Sequence, residues 1–196
     1  MTHELVHMAF PSLPDDQHWM EEGLATYIEP IARVQAGELP ANQVWSDMIK
    51  GMPKGEPAAG DKGLDHTHTW GRTYWGGALF CLVADINIRK QTHNRLGLQD
   101  ALQAIVAAGG AIDHNWPLTK ALEIGDKATG TTVLVGQYKQ WSESPVQVDL
   151  PQLWKDLGVR AGQIGAQFNP GAPQANVREA ITNRRRPALS PPSAAP

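Results

Sequence analysis

The chain has 196 residues, enough for one domain with a core of its own. Its 17 basic and 20 acidic residues leave a net charge of −3, which argues against a nucleic-acid partner or an anionic membrane surface. One cysteine, Cys81, rules out an intrachain disulfide, and the longest apolar run stops at Asp85, far short of a membrane span. No signal-peptide pattern precedes the first motif, and the compartment stays open.

The predicted elements start with a helix from the N-terminus to about Met8, with Thr2 as its cap. Within it, His3-Glu4-Leu5-Val6-His7 form an H-E-x-x-H pattern. At about 100° per residue, His3 and His7 lie about 40° apart, one turn above the other, so both imidazoles can reach one zinc ion. Glu4 falls about 60° from His7, close enough to hold a water at that zinc. The five-residue pattern alone is a weak signal, since polar helices with two ordinary histidines also match it.

Phe10 to Asp16 is a Pro-rich connector, with Asp15 or Asp16 as the expected cap of a second helix. That helix should reach about Ala36, kink or restart at Pro30, and stop at Gly37. Trp19, Met20, Gly23, Tyr27 and Ile28 form its packing stripe. Glu22 shares a face with Trp19 and Thr26 and can point at the first helix. Two histidines and a glutamate make a catalytic zinc set, because three protein ligands leave a fourth position open. Thr26 either hydrogen-bonds a ligand histidine or packs between helices.

Asn42 to Ile49 reads as a short helix and Lys50 to Gly63 as a Gly/Pro/Lys-rich loop. His66 and His68 have no further ligand cluster beside them, so they are expected to line a cleft rather than bind a second metal. Arg72 is expected in a surface salt bridge, with contact to a substrate carboxylate as the alternative. The helix from about Arg72 to Gln91 is the most apolar segment and belongs at the centre of the core. It carries Cys81 as a buried thiol and Asp85–Arg89 as an i,i+4 ion pair. Further helices are expected from Leu98 to Val106, stopped by Gly109-Gly110, from Pro117 to Ile124, ended by Gly125, and from Thr131 to Trp141. Asp149 and Pro151 open a short one that ends at Gly158. Val159 to Phe168 suits a short hairpin and Ala172 to Thr182 a last turn of helix, while Arg184 to Pro196 has the composition of a disordered tail.

The H-E-x-x-H followed by Trp19-Met20-Glu21-Glu22-Gly23-Leu24-Ala25-Thr26-Tyr27 resembles the gluzincin metallopeptidases, in particular the aminopeptidase N and glycyl aminopeptidase families. Fourteen residues lie between His7 and Glu22, fewer than in the aminopeptidase N pattern, and the difference falls in the Pro-rich connector. Tyr74-Trp75-Gly76-Gly77-Ala78-Leu79, followed by Asp85 and Arg89, is similar to the Y-x-x-G-A-L…D-x-x-x-R helix of the same families. The stretch Asp149 to Val159 also resembles the tail of such catalytic domains.

The resemblance implies a mainly α chain, the C-terminal helical portion of a zincin (thermolysin-like) catalytic domain over residues 1–182, with the upstream β-sheet missing. It implies Zn2+ held by His3, His7 and Glu22, not Glu21. Glu4 is then the general base and Tyr74 the donor to the oxyanion. The activity implied is aminopeptidase-like hydrolysis of a peptide or protein substrate. Gly23, Leu24 and Ala25 are expected to let the second helix approach the first. The alternative is a truncated, catalytically inactive fragment that only binds zinc or another polypeptide. Residue preference and oligomeric state stay open.

Overall fold

The computed structural model describes residues 2–183, in which helices α1 to α9 and one two-stranded hairpin share a hydrophobic cluster running from Phe10 to Ile181. The chain is therefore mainly α. The tail expected at 183–196 lies, beyond Asn183, outside the described residues. No helix among the described residues is long and apolar enough to cross a membrane.

Helix α1 (Thr2–Met8) buries no residue fully, and Val6 is the side chain that packs against the core. Thr2 lies inside it. Asp15 and Asp16 belong to a short 3-10 turn, Asp15–Gln17, so neither caps α2 (His18–Ala36), whose N-cap position is Gln17. Pro30 sits within a continuous α2 rather than at a restart. Its missing N–H removes one hydrogen bond, and Tyr27 and Ile31, buried on either side of it, hold the helix through that point. Gly37 ends α2 in the left-handed conformation with φ 82°, as expected.

Helix α3 (Ala41–Gly51) runs into a 3-10 turn, Met52–Gly55, so the irregular segment starts later than Lys50. The reason is tertiary. A Cβ at Gly51 or Gly55 would collide with Trp75, so these glycines serve close packing rather than chain freedom. A π-helical turn, Gly71–Gly76, leads into α4 (Gly77–Gln91), where a plain α-helix from Arg72 was expected. Helix α4 is buried along most of its length, including Cys81, whose thiol pKa is raised by burial and by Asp85. The Asp85–Arg89 pair is formed at 2.8 Å, and Asp85 also accepts from Tyr27 Oη at 2.9 Å and from the Leu98 amide at 2.9 Å. Arg72 is not a surface residue. It is 2% exposed, donates to the Gly55 carbonyl and stands 3.9 Å from Asp61. Burial lowers its pKa while Asp61 and Glu56 offset that, so the guanidinium pins the 52–63 segment from inside.

Gly23 packs against α4, not against α1. A side-chain carbon on Gly23 would fall on the Gly77 backbone, and one on Gly77 would fall on the Trp19 carbonyl. Helices α2 and α4 therefore cross at backbone contact. Helices α5 (Leu98–Ala107) and α6 (Leu118–Thr129) follow. Helix α6 passes through Gly125 and stops at Gly130 (φ 66°), because Gly125 gives room to Ala101 and Leu134 instead of breaking the helix. Asp126 receives the Leu134 and Val135 amides at 2.9 and 3.0 Å and so starts α7 (Val133–Trp141). Asp149 caps α8 (Leu150–Leu157) through the Gln152 amide at 3.0 Å. Strands β1 (Val159–Ala161) and β2 (Ala166–Phe168) pair antiparallel, and α9 (Ala175–Thr182) packs on α2 and α4.

Candidate metal centre

Helix α1 presents His3 and His7 on one face, with ring centroids 4.9 Å apart. That face meets α2 at Glu22. Glu22 Oε2 lies 3.2 Å from His3 Nε2 and 3.7 Å from His7 Nε2. One donor atom from each of His3, His7 and Glu22 falls within 4.8 Å of the others. Two donors about 2.1 Å from a tetrahedral zinc stand about 3.4 Å apart, so the two Glu22 distances suit that ion. The imidazole–imidazole–carboxylate donor set suits zinc as well. The second nitrogen of His3, Nδ1, is 3.6 Å from Glu29 Oε2. At that distance Glu29 sets a negative charge beside the far nitrogen of His3 without hydrogen-bonding it.

Glu4 and Tyr74 line the same cleft, a space of about 380 Å3 that also has Ser12, His18, Glu21 and Ile112 in its walls. The π turn at the start of α4 carries Tyr74 there. Such turns often occur at functional sites. The Tyr74 hydroxyl lies in reach of the charges of Glu22 and Glu4, and its ring stacks on Trp70 at 5.6 Å. Desolvation raises its pKa first, then the charges of Glu22 and Glu4, so the hydroxyl stays a donor through neutral and mildly alkaline pH.

The structure thus brings His3, Glu4, His7, Glu22 and Tyr74 to one cleft. It does not bring His66 and His68 there. His66 Nε2 meets Glu143 at 3.0 Å on the surface, and His68 Nε2 meets the Asp65 carbonyl at 3.0 Å. Among the described residues, no second group of three metal-ligating side chains occurs. Sequence reasoning missed His18, Glu21, Ser12 and Ile112. His18 was within reach, since it lies four residues before Glu22 on the same helix face. Ser12 and Ile112 carry no local signal. The connector docks on the loop after α5 through the Ser12 amide on the His114 carbonyl (3.0 Å), the Trp116 amide on the Ser12 carbonyl (3.2 Å) and Ser12 Oγ on the Ile112 carbonyl (2.8 Å).

No protein-family model, curated protein or solved structure matches the chain.

Proposed function

We propose that the chain is the helical part of a zincin catalytic domain that hydrolyses peptide bonds in a zinc-dependent, aminopeptidase-like manner. The observation that carries this is the gathering of His3, His7 and Glu22 donor atoms within 4.8 Å in the cleft that Glu4 and Tyr74 also line. His3, His7 and Glu22 would hold the metal. When bound, zinc supplies Lewis acidity, which acidifies a water and polarises the scissile carbonyl. Glu4 takes a proton from the attacking water and passes it to the leaving amine. Tyr74 donates a hydrogen bond to the carbonyl oxygen as negative charge develops on it, a contact strongest in the transition state.

The test is zinc content and peptide hydrolysis by the wild-type chain and Glu4→Gln. Near one zinc in both, with hydrolysis lowered by about 100- to 10,000-fold in the variant, is expected for loss of the general base. Equal hydrolysis by the two proteins would overturn the assignment.

One observation favours a second reading, zinc binding without turnover. Among the described residues the sheet is a single hairpin, β1–β2, so they offer no long strand edge for aligning an extended peptide. Stoichiometric zinc with no hydrolysis of any peptide in a mixed-sequence library would support that reading over the first.

A further inference from the structure

Glu22 uses its two oxygens differently. Oε2 faces the α1 histidines, while Oε1 lies 3.4 Å from His18 Nε2. The other ring nitrogen of His18 meets Glu21 Oε2 at 3.0 Å. Glu21 is itself anchored, because its Oε1 accepts the backbone N–H of Leu13 at 2.8 Å. A continuous chain of polar contacts therefore runs from the connector backbone through Glu21 and His18 to Glu22. All three side chains leave the first turns of α2, where residues three and four apart are neighbours.

A glutamate has three rotatable side-chain bonds and two equivalent oxygens. Left free, it can swing out of the site or offer both oxygens. A partner on the second oxygen stops the swing and lowers the entropy lost when a cation binds the first. We infer that His18 is a positioning residue, which holds Glu22 so that Oε2 is the oxygen presented beside His3 and His7. Leu13 and Glu21 set the ring of His18, so the α1–α2 connector reaches the metal centre through this chain. The inference rests on the zinc reading of the site. His18 does not belong to the group whose donor atoms converge, and its Nε2 faces the other oxygen of Glu22. Its side chain is 53% exposed, so replacing it leaves the core untouched.

The experiment measures zinc affinity by competition with a chromophoric chelator for the wild type, His18→Ala, His18→Gln and His7→Ala. Cobalt-substituted samples of each are compared by visible absorption. His18→Ala should bind zinc about 10- to 100-fold more weakly, the usual effect of losing a group that orients a ligand. His18→Gln, whose amide N–H can still reach Glu22, should recover much of that loss. The cobalt band of His18→Ala should keep its wild-type shape, while that of His7→Ala changes. Wild-type zinc affinity in His18→Ala, no recovery in His18→Gln, or a cobalt spectrum altered as in His7→Ala would each overturn the inference and leave the zinc site standing. A wild-type chain that binds no zinc would overturn both.

Discussion

Tyr74 is the residue whose role depends on a single atom. Tyr74→Phe keeps the ring and its stack on Trp70 and removes only the O–H, which lies close to Glu22. On the proposed mechanism that donor acts mainly on the transition state, so kcat should fall by about 100- to 1,000-fold with KM nearly unchanged and zinc content intact. Steady-state kinetics on the two proteins check this. A raised KM at constant kcat would instead make Tyr74 a ground-state contact. Glu22 is the other pivotal residue, since four side chains face it: His3, His7, His18 and Tyr74.

At the scale of elements, the α2–α4 crossing at Gly23 and Gly77 is the tightest feature of the fold. Gly23→Ala must force the two helices apart, and overpacking of that kind costs about 1–3 kcal/mol. Urea unfolding should show it as a lower midpoint with an unchanged slope, and an unshifted midpoint would mean the crossing yields freely. The crossing also marks how far the sequence could be read. Helical periodicity was sufficient for the order of the helices, and H-E-x-x-H was legible because its spacing is local, whereas Glu22 rather than Glu21 followed from the resemblance of the second helix. The destination of a glycine was not. Gly23 serves α4 instead of α1, Gly125 serves Ala101 and Leu134 instead of ending α6, and Gly51 and Gly55 serve Trp75 instead of a loop. Each depends on a neighbour far along the chain. Arg72 misled for the same reason, since its acceptor, the Gly55 carbonyl, belongs to a segment that looked irregular. The cleft wall at Ser12 and Ile112 depends on a pairing across 100 residues.

For the whole molecule, two buried tyrosines couple stability to alkaline pH. Tyr27 donates to Asp85 at 2.9 Å and Tyr138 to Asp65 at 2.7 Å. Burial, and then these carboxylates, raise both hydroxyls above the ordinary 10.0. The unfolded chain gives up these protons near pH 10 while the folded chain keeps them. Their stabilisation is therefore complete below about pH 10 and lost as pH climbs beyond it. Urea midpoints should hold steady from about pH 7 to 9 and fall above 10, with a shallower fall in Tyr27→Phe. A midpoint that stays flat to pH 11 would contradict this. The site, meanwhile, is divided between unequal supports. Glu22 and Tyr74 stand on the locked α2–α4 frame, whereas His3 and His7 stand on α1, none of whose described residues is fully buried. With no side chain fully buried, α1 is held to the fold mainly through its packing on α2. On the zinc reading, the ion then acts as a latch across that seam, and α1 lifting away sets how fast the ion escapes. Zinc transfer to a chelator should consequently run at a rate independent of chelator concentration, and a rate that rose in proportion to chelator would show that the ion is pulled out of a closed site.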